Sequence, residues 1–265
     1  MEHTPTMNGG LRLFRLFGID VKIHFSWWFI FVLLAWSLHD AFFPQEFPGF
    51  SSQQYWFMGI AAALLLFASV LLHELSHSLV AKAHKIKVES ITLFFFGGVA
   101  GISQEDMEPK SEFLMAIAGP LFSLFLSGVF YSIFLLTTDG LWHPIVYYVA
   151  YINLILAIFN LVPAFPLDGG RAFRALLHAH YKDLRKATRI AATGGRIFAG
   201  YLVIEGFLNF FGISLLVPGG LWFILLGGFL YFLAGMSYEQ VVVKEILGKI
   251  PVHSLPRKTP LVFPP

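Results

Sequence analysis

A five-residue run in an apolar part of the chain carries the clearest chemistry. It reads His73-Glu74-Leu75-Ser76-His77. If the run is helical, residues four apart share one face, so both imidazoles can reach the same metal ion. Glu74 lies beside the first histidine without occupying a ligand position, and a carboxylate placed there can act as a general base. The run therefore predicts a zinc site; the competing interpretation is a hydrogen-bonded polar cluster between helices.

A zinc site that keeps one coordination position open has three protein ligands. We expect the third ligand to be Asp168, which lies in the stretch Asn160–Gly170, NLVPAFPLDGG. Pro163 and Pro166 cannot continue the preceding helix, so the chain should be extended there and should turn the carboxylate back towards the histidines. The alternative role of Asp168 is to cap the helix that follows, because Asp is a preferred N-cap residue.

The composition places these residues in a membrane protein. The 265 residues are 57% hydrophobic and only 13% charged, whereas about a quarter of a soluble domain is charged. The formal net charge of +2 is too small to indicate nucleic-acid binding. The absence of cysteine excludes disulfides, thiolate metal ligands and a cysteine nucleophile. We therefore expect an integral membrane protein that has the lipid bilayer, and no nucleic acid, as a partner.

A membrane-spanning helix needs about 20 predominantly apolar residues. Six segments come close to this requirement: Ile23–Leu38, Tyr55–Val80, Phe113–Leu136, Ile145–Val162, Ile190–Phe211 and Leu221–Met236. The 18 basic residues fall in alternate connecting segments, and none lies at 39–54, 137–144 or 212–220. By the positive-inside rule, this pattern predicts a multi-pass protein with both termini in the cytoplasm.

The predicted fold is therefore an all-α polytopic membrane protein with six transmembrane helices and one exception. The β-branched residues and the Gly-Gly turn of Ile86–Val99 predict a short membrane-associated β segment near 86–99. His73 and His77 precede Lys82 by nine and five residues. At 1.5 Å per residue, the site should lie roughly 7–14 Å below the cytoplasmic surface, in the cytoplasmic half of the membrane.

Four motifs, in this order, resemble the site-2 protease family of intramembrane zinc metalloproteases. They are HELSH at 73–77, FFGGVA at 95–100, AGPLFS at 118–123 and NLVPAFPLDGG at 160–170. The resemblance runs from about His24 to Gly170, and the pairing of HExxH with LDGG is its most specific part. One departure is Ser123, because many members have Asn after the Gly-Pro pair.

The resemblance implies that His73, His77 and Asp168 bind zinc, that Glu74 is the catalytic base and that Asn160 lies close to the metal. It also implies a zinc endopeptidase of the cell membrane. Such an enzyme hydrolyses a peptide bond in or near a transmembrane segment of a membrane-tethered substrate, and a regulatory protein is the expected substrate. The sequence does not indicate an oligomeric state.

Residues Phe96, Gly97 and Gly98 are the expected substrate-binding segment, because an extended peptide could add to the edge of the predicted β segment. The alternative is a structural hairpin that plugs the helix bundle. We expect the protease domain to cover 1–240 and a cytoplasmic tail to cover 241–265. The tail sequence VKEILGKIPV resembles the lead-in to a CBS regulatory domain in one branch of the family, so we expect the tail to be the truncated lead-in to such a domain.

Three other functions compete with this interpretation. A zinc protease of the prenyl-protein processing kind also uses HExxH, but it would want a glutamate as third ligand and has no LDGG motif. A membrane metal-binding or transport protein, or a haem-binding protein, could use the same histidines without proteolysis. Transport would call for further ligands along several spans, and the apolar segments offer few. A serine intramembrane protease is disfavoured because the chain has no GxSG-type motif.

Overall fold

The computed structural model describes residues 10–95, 97–102, 107–213 and 220–248. Within these ranges the chain is mainly helical and contains one four-stranded sheet. The helices are α1 (Ser26–Ser37), α2 (Phe43–Glu46), α3 (Ser52–Ala83), α4 (Pro109–Leu136), α5 (Trp142–Leu161), α6 (Asp168–Tyr181), α7 (Leu184–Phe210) and α8 (Gly220–Gly248). The strands are β1 (Gly10–Leu16), β2 (Ile19–His24), β3 (Val88–Phe94) and β4 (Gly97–Ile102).

The sheet has the strand order β1-β2-β3-β4. Strands β1 and β2 form an antiparallel hairpin whose two-residue turn, Phe17-Gly18, has positive φ angles of 50° and 79°, as the type I′ hairpin turn requires. Strand β2 pairs in parallel with β3, and β3 pairs antiparallel with β4. Since α1, α2 and α3 lie between β2 and β3 in the sequence, this parallel pairing joins chain segments on either side of the histidine-bearing helix.

The N-terminal hairpin shows that two predictions were wrong: the first span begins later than expected, and the fold is not all-α. Residues 23–38 were expected to form one helix, but β2 runs to His24 and α1 begins at Ser26. Ile19, Val21 and Ile23 are buried and alternate with more exposed polar residues, which is the period of a half-buried strand rather than of a membrane helix. The prediction of a β segment near 86–99 is confirmed by β3 and β4.

Five helical segments in the described ranges are long and apolar enough to cross a membrane. They are Ser26–Glu46, Ser52–Ala83, Pro109–Leu136, Trp142–Leu161 and Gly220–Val243. The first combines α1 and α2 through a π-helical turn at Leu38–Phe42. Helix α7 covers the fifth predicted span, but it is not among the five, since Arg196, Glu205 and Asn209 interrupt its apolar sequence. The count of six spans stays a prediction.

Helix α3 is the long central element that carries the histidines. Its start is fixed by a capping box, in which the Gln54 backbone N–H donates to the Ser51 hydroxyl and the Ser51 N–H donates to the Gln54 side chain. One apolar cluster packs near its N-terminal half, around Met58 and Ile145. A second packs near its C-terminal half, where the sheet residue Ile91 meets α3. The sheet therefore lies against the same half of α3 as the histidines.

The segment before Asp168 is held between α6 and α7 by close backbone contacts. A Cβ atom at Gly195 of α7 would lie 1.8 Å from the Phe165 carbonyl oxygen, and one at Gly170 of α6 would lie 2.2 Å from the Phe165 nitrogen. The Phe165 N–H also donates to the carbonyl of Ala191, at 3.4 Å. Only glycine permits the backbone of Phe165 to come this close to α6 and α7. These close contacts fix the point at which α6 begins.

Candidate metal centre

Two histidines from α3 and one aspartate from α6 converge on a single point. The Nε2 atoms of His73 and His77 are 3.2 Å apart, and Asp168 Oδ2 lies 3.1 Å from each of them. Both histidines are buried, at 3% exposure. One donor atom from each of the three residues lies within 4.8 Å of the others. The structure thus brings together residues that are 91 and 95 positions apart in the sequence.

Helix α4 orients both imidazole rings through the nitrogens that face away from this point. The Nδ1–H of His77 donates to the Met115 backbone carbonyl at 2.6 Å. His73 Nδ1 lies 2.9 Å from the Ser123 hydroxyl oxygen, which can accept a hydrogen bond from it. A neutral imidazole that donates through Nδ1 keeps the lone pair of Nε2 free, and this is how metal-binding histidines are commonly held. The two rings are therefore oriented to bind a metal through Nε2.

Asp168 directs its carboxylate at the histidines rather than at its own helix. It is the first residue of α6, and the N-cap residue is Leu167, which makes no side-chain capping bond. The alternative role as an N-cap is therefore wrong. Burial raises the pKa of the Asp168 carboxyl, but the neighbouring His77 and His73 lower it by more. The pKa therefore lies below its ordinary value. The residue is accordingly a carboxylate, the form that can bind a cation.

The point of convergence is kept open by a missing side chain on α4. A Cβ atom at Gly119 would lie 2.2 Å from His77 Nε2 and 2.6 Å from His73 Nε2. A methyl group there would occupy the space into which both nitrogens point. Two imidazole nitrogens, one carboxylate oxygen and this free space fit a tetrahedral zinc ion with one open position.

Glu74 lies next to this group but outside it. Its side chain is adjacent to strand β4, because a Cβ atom at Gly98 would lie 2.5 Å from Glu74 Cγ. Glu74, Gly97 and Gly98 all line one cavity together with the three converging residues. Phe96, the third residue expected to bind substrate, lies outside the described residues.

The cavity has a volume of about 750 Å³ and mostly apolar walls. Helices α1, α3, α5 and α8 contribute to it, as does the edge strand β4. Asn160 lines it near the end of α5, where its Nδ2 donates to the Leu156 carbonyl at 3.0 Å. Arg171, on α6, lines it as well. The cavity gives a large apolar ligand access to the His-His-Asp group.

Sequence reasoning missed the contribution of α4. Met115 acts through its backbone carbonyl and Gly119 through the absence of a side chain, so neither shows as a candidate functional residue. Ser123 was noticed only as a departure from a family motif, and the signal that could have identified it is its place in AGPLFS.

Comparison with known proteins gives consistent matches. The chain matches the model of peptidase family M50 over residues 61–140 and 136–202. Rip3 of Mycobacterium tuberculosis is 35% identical over 251 residues, which cover 93% of this chain and 63% of Rip3. Zinc metalloprotease MJ0392 of Methanocaldococcus jannaschii is 33% identical over 263 residues, which cover 98% of this chain and 69% of that protein. This chain thus spans only about two thirds of the length of these relatives.

A solved structure agrees with these matches. The site-2 protease from Methanocaldococcus jannaschii superposes with a TM-score of 0.61 at 32% sequence identity, covering 86% of this chain and 95% of that one. Zinc is named in the description of the relative MJ0392, and the donor set of His73, His77 and Asp168 can hold it. The three residues thus fit the metal that is named for this relative.

Proposed function

Because the chain belongs to peptidase family M50, the site-2 proteases, we propose that it is an intramembrane zinc endopeptidase. It hydrolyses a peptide bond in or near a transmembrane segment of a membrane-tethered substrate, and a regulatory protein is the expected substrate class. The observation that carries the proposal is the His-His-Asp group beside Glu74, in a cavity between helices that are apolar enough to span a membrane. A protease that acts on soluble substrates would not need an active site between helices of this kind.

His73, His77 and Asp168 would hold the metal. When bound there, zinc polarises a carbonyl group and lowers the pKa of a water molecule. Glu74 accepts one proton from the attacking water and delivers it to the leaving amine as the peptide C–N bond breaks. The hydroxyl part of the water stays on the new carboxyl group. Asn160, on the cavity wall, would donate a hydrogen bond to the peptide and so help to position it.

Strand β4 is the element suited to hold the substrate. It lies at the edge of the sheet in the described part of the chain, so its outer backbone groups can pair with an extended peptide. A peptide added to β4 would pass Glu74, because the backbone of Gly98 packs against that side chain. A transmembrane helix must unwind to pair in this way, so a Gly or Pro near the cut position should speed cleavage.

The arrangement in the membrane follows from the same proposal. With α7 counted as a span, six helices cross the cell membrane, both termini face the cytoplasm, and the active site lies in the cytoplasmic half. The protease domain would cover 1–240 and the cytoplasmic tail 241–265. Helix α8 continues to Gly248, so the tail would begin as an extension of the last span.

The test is the Glu74→Gln variant, assayed in detergent with a purified transmembrane substrate. The variant should lose about 10²- to 10⁴-fold in cleavage rate, the usual contribution of a general base, while elemental analysis finds zinc bound as in the parent protein. Glu89→Gln is the matched control, because Glu89 is exposed on β3 and pairs with Lys87 at the surface. Cleavage at the parental rate by zinc-loaded Glu74→Gln would refute the proposal. A protein that transports or stores the metal would tolerate the substitution.

A further inference from the structure

A buried ion pair joins α4 to α6 close to the metal centre. Arg174 Nε donates to Glu112 Oε1 at 2.8 Å, and Arg174 Nη2 donates to the same oxygen. The Arg174 side chain is 11% exposed and that of Glu112 is 3% exposed. The guanidinium also lies over the Phe165 ring, 4.9 Å from its centroid. Burial lowers the pKa of Arg174, and the neighbouring Glu112 carboxylate opposes this shift.

The two partners stand on the elements that build the metal centre. Glu112 lies in the first turn of α4, one turn before Met115, whose carbonyl orients His77. Arg174 lies on α6, six residues after Asp168. Its contact with Phe165 reaches the segment that leads into Asp168. The ion pair therefore connects the helix that orients the imidazoles with the helix that supplies the carboxylate.

A buried ion pair adds little net stability, because its desolvation cost offsets its Coulombic gain. What it does provide is a fixed distance between two elements. Helix α6 has only 14 residues, and zinc–ligand distances in protein sites lie within about 0.2 Å of fixed values. A small tilt of α6 would therefore remove Asp168 from the position that it shares with the two histidines.

We propose that Glu112 and Arg174 are positioning residues whose ion pair fixes α6 on α4 and thereby preforms the zinc site. The proposal rests on the zinc site of the proposed function, and it concerns the affinity for zinc rather than the chemical step. It predicts that removing the pair weakens zinc binding even when the fold is as stable as before.

The experiment compares zinc affinity with the stability of the zinc-free protein. The variants are Glu112→Gln, Arg174→Met and the double variant that carries both substitutions. Zinc affinity is measured by competition with a chromophoric chelator, and stability by thermal unfolding of the zinc-free protein in detergent. Each single variant leaves a buried group without its charged partner, so its Tm should fall. The double variant leaves no unpaired charge, so its Tm should return towards that of the parent, while its zinc affinity stays about tenfold weaker.

Two controls separate positioning from stability. Met58→Ala removes a buried side chain from the apolar cluster around Ile145, near the other half of α3; it should lower the Tm and leave the zinc affinity unchanged. Lys87→Met breaks an exposed ion pair with Glu89 and should change neither quantity. If the double variant does not fold, Arg174→Lys keeps the charge without the guanidinium fork, and its zinc affinity should fall severalfold.

The outcomes distinguish this proposal from the proposed function. A zinc affinity that recovers together with the Tm in the double variant, or that is unchanged in Arg174→Lys, would overturn the positioning role. A loss of zinc affinity in Met58→Ala that matches its loss of stability would also overturn it. A parent protein that binds no zinc would instead refute the metal site itself.

Discussion

Replacing Gly119 with alanine should empty the zinc site without unfolding the protein. In a helix interior, this change ordinarily stabilises by about 0.5–1 kcal/mol. Here the new Cβ would lie 2.2 Å from His77 Nε2, whereas real Cβ contacts stay beyond 3.0 Å. The imidazole and the α4 backbone must therefore move apart by at least 0.8 Å, the difference between these two distances. Because zinc–ligand distances lie within about 0.2 Å of fixed values, the affinity for zinc should fall on the order of 100-fold.

Gly128→Ala is the matched control for this prediction. Gly128 lies on the same helix, and a Cβ atom there would meet nothing within 4 Å. Both variants would be purified in detergent, dialysed against a weak chelator, and compared by elemental zinc analysis and by thermal unfolding with and without added zinc. Gly128→Ala should keep its zinc, whereas Gly119→Ala should unfold at a temperature that zinc no longer raises. Stoichiometric zinc in Gly119→Ala would show that the ion is not held where the two Nε2 atoms converge.

Two further substitutions test the surroundings of the site. Ser123→Ala removes the hydroxyl that orients His73, and we expect about tenfold weaker zinc binding, measured by chelator competition; an unchanged affinity would mean that the ring is held by packing alone. Gly98→Ala places a Cβ 2.5 Å from Glu74 Cγ, so kcat should fall at least tenfold with zinc retained. Gly101→Ala, on the same strand, would meet only ordinary contacts beginning at 3.5 Å and should cleave normally in the same assay.

The helices were predictable from the sequence because their signals are local. Long apolar stretches and the breaks at Pro163 and Pro166 each lie within one segment of the sequence. The β segment near 86–99 was likewise predicted from its own residue types. The pairing of β2 with β3 is different, since it joins Val21 to Ile91 across three intervening helices. A hydropathy pattern contains no information about that register. An apolar residue such as Ile23 suits a buried strand and a membrane helix equally well. It was therefore assigned to the helix that follows it.

The metal centre likewise has one part that was predictable from local sequence and one part that was not. His73 and His77 are related by one helical turn, so their convergence follows from local geometry. Asp168 could be proposed because it is an acidic residue in a segment that Pro163 and Pro166 interrupt. That segment was predicted to lie at the same depth in the membrane as the two histidines. The contacts from α4 could not, because the packing of α4 against α3 is a tertiary arrangement. Its contribution at Met115 is a backbone carbonyl, a group that every residue has.

The contacts from α4 are nevertheless a physical necessity for histidines placed in an apolar helix. A buried imidazole N–H without an acceptor costs about 1–3 kcal/mol, and lipid or apolar side chains cannot supply one. The Met115 carbonyl accepts from His77 Nδ1–H, and the Ser123 hydroxyl oxygen can accept from the Nδ1–H of His73. The bond to Met115 holds the His77 proton on Nδ1 and leaves Nε2 free, and a bond donated to Ser123 does the same for His73. One interaction therefore makes the polar residue tolerable in its surroundings and selects the tautomer that can bind zinc, so the fold and the site impose the same requirement on α4.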